Sequence, residues 1–346
     1  MRNKTREISI GNLKIGSNNP IPIQSMTNTD TTNIDTTIKQ IHELEEAGCE
    51  IIRISAPTIE AAKALKEIKE KINIPLVADI HFDYKIALEA AKHADKLRIN
   101  PGNIGDKEKI KLVVDAAKEN KIPIRIGVNL GSLEKDIFQK YGYTAEAMVE
   151  SALRHIKILE NLNFHDIVVS LKASDVNIMV DAYRLFAKKS NYPLHLGVTE
   201  AGSKFSGTIK SAIGIGTLLE EGIGDTIRVS LSDNPTEEVK VAKQILKTLG
   251  LKNSGIEITS CPTCARSQIN VIKIVEKLEN QTEKIKKPVH VAVMGCAVNG
   301  PGESKKSDIG IVGAPDSNLL YKKGEIVTRI KDDDILDVLL KEIDKF

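Results

Sequence analysis

Hydrophobic and polar positions alternate between two periods along most of this chain. Short runs of consecutive Ile, Val and Leu give way to stretches in which apolar residues recur every three or four positions. The first pattern reads as a strand buried on both faces and the second as an amphipathic helix. After a hairpin over residues 8–16, turning at Gly11-Asn12, strands are expected at 21–26, 50–55, 75–81, 96–100, 123–129, 166–172, 193–199 and 225–231. Helices are expected at about 34–48, from Thr58, and at 83–93, 107–120, 144–161, 175–189, 208–221 and 234–250. Thr58 supplies an N-cap oxygen, and Asn234-Pro235 is an N-cap followed by a first-turn proline. Eight βα units in series predict a (β/α)8 TIM barrel. A doubly wound open sheet is the alternative, and it lacks a G-x-G-x-x-G after the first strand.

The alternation breaks after residue 250. Strands are expected at 256–260, 289–294 and 308–312, helices at 265–280 and 334–344, and a hairpin over 319–330 around Lys323-Gly324. This describes a barrel domain of residues 1–250, a linker at 251–255, and a small α+β domain within residues 251–346.

Composition narrows the partners. The 346 residues carry 49 basic and 47 acidic side chains, so no bulk field favours nucleic acid or a membrane surface. Trp is absent and aromatics are scarce, which disfavours stacking on bases. The lysines among residues 284–287 read as a solvated face. No apolar run is long enough to span a bilayer. Four cysteines in a chain of this length fit a reducing compartment, and no secretory signal is evident at the start, so a cytoplasmic protein is expected. Any anion must be held by local placement of charge.

That placement is visible on the strands. An apolar-Arg-apolar triplet recurs at Arg53, Arg98, Arg125 and Arg228, and Lys172 ends the sixth barrel strand. Each Arg could point outward to a helix carboxylate. Together, at the mouth where barrel enzymes do their chemistry, five cations call for an anion, and Arg suits phosphate. Asp79 and Glu200 stand at the same level as candidate acids or bases, or as partners that orient an Arg. Asn100, Asn129, Thr199 and Ser230 could hydrogen-bond the ligand. His81 and His195 read as packed or hydrogen-bonded residues, Ser203 and Lys204 as phosphate-loop material or solvated loop, and Cys49 as a small buried residue.

The other three cysteines gather near the end, in Cys261-Pro-Thr-Cys264 and in Gly295-Cys296-Ala-Val-Asn-Gly-Pro-Gly-Glu303. The C-x-x-C spacing lets two sulfurs reach one centre, and glycines around Cys296 allow a bulky group to approach the backbone. An iron–sulfur cluster with one unusual carboxylate ligand, a structural zinc and a redox dithiol all fit that pattern.

Eight motifs in order then resemble one family over nearly the whole chain. They are Gln24-Ser-Met-Thr27, Ala78-Asp-Ile-His81, Arg98-Ile-Asn-Pro-Gly-Asn103, Arg125-Ile-Gly-Val-Asn129, Ser170-Leu-Lys-Ala-Ser174, Gly197-Val-Thr-Glu-Ala-Gly202, Cys261-Pro-Thr-Cys-Ala-Arg266 and Met294-Gly-Cys-Ala-Val-Asn-Gly-Pro-Gly-Glu303. The chain is similar to the bacterial 4-hydroxy-3-methylbut-2-enyl diphosphate synthases in their two-domain form. The resemblance implies a [4Fe-4S] cluster on Cys261, Cys264 and Cys296, with Glu303 as a removable ligand of the fourth iron. It implies reductive ring opening and dehydration of 2-C-methyl-D-erythritol 2,4-cyclodiphosphate, fed by flavodoxin or ferredoxin. It assigns substrate contacts to Arg53, Asp79, Arg98, Asn100, Arg125, Asn129, Lys172, Thr199, Arg228 and Ser230, and proton donation to Glu200. It also implies a homodimer whose active site is shared between chains. Two rival readings stay in view: a metal-independent phosphate-binding barrel with a zinc-stabilised appendage, and a nucleic-acid binder.

Overall fold

The computed structural model describes residues 2–253 and 255–346, and it divides into two compact units, Met1–Lys252 and Asn253–Phe346. The expected linker at 251–255 includes Ser254, which lies outside the described residues.

In the first unit β1 (Ile8–Ile10) and β2 (Leu13–Ile15) form the antiparallel hairpin. The barrel strands follow as β3 (Gln24–Met26), β4 (Ile51–Ser55), β5 (Leu76–Asp79), β6 (Lys96–Ile99), β7 (Ile124–Asn129), β8 (Ile167–Lys172), β9 (His195–Leu196) and β10 (Thr226–Ile227). β3 to β8 make a parallel sheet in chain order, and β9 pairs with β10. Single parallel bridges at Val169↔Leu194 and Ile23↔Ile227 join these pieces into a closed ring of eight. Closure removes the sheet edges, and helices cover the outside. The main core is the layer between them, where Ile54, Leu65, Ile99, Val114, Ile126, Leu159, Val169 and Leu218 are all fully buried. A second cluster closes the floor. Ile8, Ile10 and Ile15 of the hairpin pack against Ile51, Val77 and Val168 of the barrel.

Several boundaries differ from expectation. The strands expected at 193–199 and 225–231 keep only two ladder residues each. Their apolar character continues, because Val198 and Val229 are buried, but burial there comes from packing and not from strand pairing. The helix expected from residue 208 begins at Lys204. Two helices were not foreseen, Pro101–Ile104 and Lys135–Tyr141. The former is capped by Asn100, whose Oδ1 accepts from the Gly102 amide at 3.1 Å.

The second unit is a five-stranded sheet in the order β11 (Ile256–Ser260), β12 (Val289–Met294), β13 (Ile309–Val312), β14 (Asn318–Lys322), β15 (Glu325–Ile330). β11, β12 and β13 run parallel, and β14 and β15 form the expected hairpin. Helices Val271–Thr282 and Ile335–Asp344 supply Leu278, Leu339 and Ile343 to its core. The helix expected from residue 265 starts at Val271, because Asn270 caps it by accepting from the Lys273 amide. Residues 261–270 are therefore irregular. The Gly300-Pro-Gly302 stretch expected as loop opens a short helix, Gly300–Lys306.

At one of the two seams of the barrel ring, between β8 and β9, a single bridge stands in for a ladder. Tyr183 reinforces it. Its fully buried hydroxyl donates to the His195 carbonyl at 2.6 Å and accepts from the Leu171 amide at 3.0 Å. Tyr183→Phe leaves both groups buried without that partner. It should cost about 1–3 kcal/mol, read as a lower urea midpoint with an unchanged slope. An unaltered midpoint would show that the hydroxyl does not hold the seam.

Candidate functional site

The C-terminal ends of the barrel strands carry a dense set of buried polar groups. Asp79, the last residue of β5, is 3% exposed. It accepts from Arg98 Nη1 at 3.1 Å, and its other oxygen lies 3.7 Å from Arg53 Nε and 3.5 Å from His81 Nε2. Burial pushes the Asp79 carboxyl upward. Arg53, the His81 hydrogen bond and Arg98 outweigh it and hold the group well below the usual carboxylate range. Arg53 also donates to the Met26 sulfur from Nε at 3.1 Å and Nη2 at 2.8 Å. Its own pKa is brought down to about 10, first by burial.

Arg125 is 1% exposed, stands beside Arg98 in register, and has no partner for Nε or Nη1. Burial and the fields of Arg53 and Arg98 hold it well below the usual arginine range. Two residues along β7, Gly127 makes room for the neighbouring cation, since a Cβ there would lie 2.6 Å from Arg98 Nε. Lys172 ends β8 in register with Asn129 and is also buried. Burial, then Arg53 and Arg125, bring it well below the lysine range. Arg228 is the exception among these cations. It donates to Glu238 of the helix Pro235–Thr248 at 3.1 Å and to Ser230 Oγ at 3.0 Å. The helix-carboxylate alternative thus holds for this one arginine, which still acts electrostatically on Arg53 and Lys172.

The remaining expected contacts are less buried. Asn100, Asn129, Thr199 and Ser230 are half-buried, and Asn100 is already engaged as a helix cap. Glu200 is exposed and has φ 51°, a left-handed conformation that non-glycine residues adopt at a cost and that recurs at functional sites. Lys204 is the first residue of a helix with Ser203 at the N-cap position and is not part of a loop. It pairs with Glu237 at 2.6 Å. His195 is fully buried, with Nδ1 2.8 Å from Thr226 Oγ1. Cys49 is buried, and burial pushes its thiol up to about 12, which makes it inert. Sequence reasoning missed Glu238, for which the only cue was a carboxylate one turn into a helix. It also missed Lys96, fully buried in β6 with no partner for Nζ.

In the second unit Cys261 follows the last residue of β11 and Cys296 lies just past the end of the adjacent parallel strand β12. Backbone bonds stitch the two loops together. Gln268 N–H donates to the Gly295 carbonyl at 2.8 Å, and Gly295 N–H donates to Cys261 Sγ at 3.1 Å. A Cβ on Gly295 would lie 2.3 Å from Ser267 Oγ, so only glycine permits that approach. All three cysteines are free, with Cys264 exposed and the other two half-buried. Among the described residues no three His, Cys, Asp or Glu side chains are placed to hold one metal ion. A multi-iron cluster places its thiolates on different irons, so its ligands stand further apart than those of one ion. Three free thiols and an amide aimed at one sulfur fit such a group. Glu303 sits in the helix Gly300–Lys306, where its carboxylate is 3.6 Å from Lys306.

Fold and site together define a class: a (β/α)8 barrel with a cation-rich interior, on a chain that also carries a three-cysteine α+β unit. The chain belongs to the GcpE family. The family's "GcpE TIM-barrel domain" matches residues 5–243 and its "GcpE protein C-terminal domain" matches residues 257–345. A relative from Caldanaerobacter subterraneus subsp. tengcongensis, named 4-hydroxy-3-methylbut-2-en-1-yl diphosphate synthase (flavodoxin), is 60% identical over 100% of this chain and 98% of its own length. Relatives of the same name from Geobacillus thermodenitrificans and Clostridium acetobutylicum are 59% and 57% identical, each over 99% of this chain and over 92% and 99% of their own lengths. Among solved structures, a dihydropteroate synthase from Stenotrophomonas maltophilia has a TM-score of 0.53 at 10% identity, covering 71% of this chain and 97% of its own. A type I 3-dehydroquinate dehydratase from Clostridium difficile also scores 0.53, at 16% identity over 71% of this chain and 98% of its own. These two likenesses concern the barrel fold alone. No helix among the described residues is long and apolar enough to cross a membrane.

The Asp79 geometry fixes a pH dependence. Its folded pKa is depressed, so its contribution to stability is full above the ordinary carboxylate range and is lost as pH falls toward the folded value. Asp79→Asn should flatten the acid limb of a stability–pH curve and cost about 3–5 kcal/mol at neutral pH, the penalty of leaving buried charge unmatched. An acid limb identical to wild type would mean Asp79 is not the group that titrates.

Proposed function

We propose that this chain reductively opens 2-C-methyl-D-erythritol 2,4-cyclodiphosphate and releases (E)-4-hydroxy-3-methylbut-2-enyl diphosphate and water, with flavodoxin as the electron donor. The observation that carries this reading is the excess of buried positive charge at the strand ends. Asp79 pairs with Arg53 and Arg98, while Arg125 and Lys172 are buried and form no ion pair among the described residues. A diphosphate supplies the missing negative charge and accepts the forked donors of Arg.

Two electrons and two protons balance the conversion. A [4Fe-4S] cluster, for which Cys261, Cys264 and Cys296 supply thiolates, would deliver the electrons one at a time. Cationic side chains bind and orient the diphosphate, and Asp79 keeps Arg53 and Arg98 in place. Glu200, exposed after β9, gives a proton to the departing hydroxyl in this reading. Asn129, Thr199 and Ser230 offer hydrogen bonds to the sugar-derived oxygens, and Arg228 adds positive field while tied to Glu238. Glu303 is read as the exchangeable carboxylate of the cluster, in which role it gives up Lys306. The reaction requires a cysteine unit and a barrel mouth to act on one substrate molecule. A homodimer that pairs the cysteine unit of one protomer with the barrel of its partner meets that requirement.

Anaerobically purified protein should be brown and hold about four irons per chain, and Cys264→Ser should lose both colour and turnover. Colourless protein with stoichiometric zinc and turnover in air would replace this reading with that of a zinc-stabilised phosphate barrel. Glu303→Ala should retain most iron yet lose most turnover. Full activity in that variant removes Glu303 from the cluster.

A further inference from the structure

Lys96 is the most anomalous side chain in the molecule. It is fully buried in β6, two residues before Arg98, and its Nζ has no hydrogen-bond partner. A buried ammonium without a partner is costly, so the charge must be cancelled or removed. The buried carboxylates of the barrel unit are Asp79, Asp225 and Glu238, and each is taken. Asp79 serves Arg53, Arg98 and His81. Asp225 accepts from Arg2, Thr5 and the Leu194 amide. Glu238 accepts from Arg228 and the Leu231 amide.

The charged groups acting on Lys96 are both cations. Arg125 on β7 acts most strongly and Arg53 on β4 next. His195 on β9 also feels Lys96, and burial first, then Arg125, holds its ring well below the usual histidine range. Gln24 of β3 is 1% exposed, and neither atom of its amide has a partner. Arg125 meanwhile lacks an acceptor at Nε and Nη1. A neutral amine carries one lone pair, which is what Arg125 lacks. One change of protonation therefore accounts for both orphans.

We propose that Lys96 rests as a neutral amine that accepts a hydrogen bond from Arg125, and that it takes up a proton from solvent when a dianion binds among the strand-end cations. Binding then becomes proton-linked. The incoming charge draws Arg125 and permits the ammonium, so the barrel interior stays near a constant total charge. Burial and the two guanidinium fields, which hold Lys96 well below the lysine range in the free protein, act in the same direction. Lys96 acts through Arg125 and is a positioning residue. The inference rests on reading the strand-end cations as an anion site, not on which anion is the substrate.

The test is calorimetric titration of anaerobically purified holoprotein in two buffers of different ionisation enthalpy, near pH 8. Sulfate, a non-titrating dianion, is one probe, and the cyclic diphosphate is the other. Lys96→Met should bind sulfate with uptake reduced by roughly one proton relative to wild type, while His195→Asn keeps the wild-type value. Equal uptake in Lys96→Met and wild type, or loss in His195→Asn instead, overturns the proposal. Should Lys96→Met fail to fold, Lys96→Gln decides, because it keeps a polar side chain at the position and cannot take up the proton. Loss of about one proton of uptake in that variant upholds the proposal, and wild-type uptake ends it. Sulfate-linked uptake without cyclic diphosphate binding supports Lys96 and sinks the substrate assignment. Turnover of the cyclic diphosphate without linked uptake does the reverse.

Discussion

Positive charge buried without enough negative charge is the constraint on which the rest of the barrel depends. Arg98, Arg125 and Lys172 are buried in the barrel with Arg53 half-buried beside them, and Asp79 pairs with Arg53 and Arg98. Such an arrangement costs several kcal/mol in the free protein. A chain can carry it only where apolar burial elsewhere offsets the cost and the wall around the charges is rigid. The closed ring of strands, the helix layer around it and the isoleucine floor under it supply that rigidity. The consequence for function is preorganisation. Donors already desolvated and already aimed need little rearrangement when an anion arrives, and the same desolvation makes each contact stronger.

The irregular side of the barrel serves the same site differently. β9 and β10 keep two ladder residues each, so the chain beyond them is released from sheet geometry early. That release lets Gly197–Gly202 turn sharply enough to place Glu200 in a left-handed conformation. Glu200 is thus an exposed carboxylate on a strained turn, whereas Asp79 lies deep among the guanidinium groups and balances their charge.

Much of this architecture was legible in the sequence, because strands buried on both faces announce themselves as apolar runs. The floor hairpin, the helix caps at Thr58 and Asn234 and the strand-end arginines followed from local rules. What stayed hidden depends on partners distant in sequence. Val198 and Val229 look like strand interior, yet packing alone buries them. Asn100 looks like a ligand contact and is also a helix cap. Arg228 shares its triplet pattern with Arg53, Arg98 and Arg125 but differs because Glu238 lies on the helix that follows it. Lys96 reads as the edge of a strand. Only the closed ring shows that its amine has no acceptor.

The separation into two units follows from the same electrostatics. Cations beside a thiol hold it as a thiolate, and a thiolate among the barrel cations would take up part of the field that recruits an anion. Thiolates also need backbone donors and loops free of regular structure, as Gly295 N–H to Cys261 and the irregular residues 261–270 provide. Guanidinium groups need the opposite, a rigid wall with no competing water. Both demands are met at the C-terminal ends of parallel strands, β4 to β8 in the barrel and β11 and β12 in the smaller unit. There a sheet ends and side chains can converge without breaking its ladder. Two small sets of parallel strands therefore divide the placement of side chains between them: one gathers cations, and the other gathers cysteines.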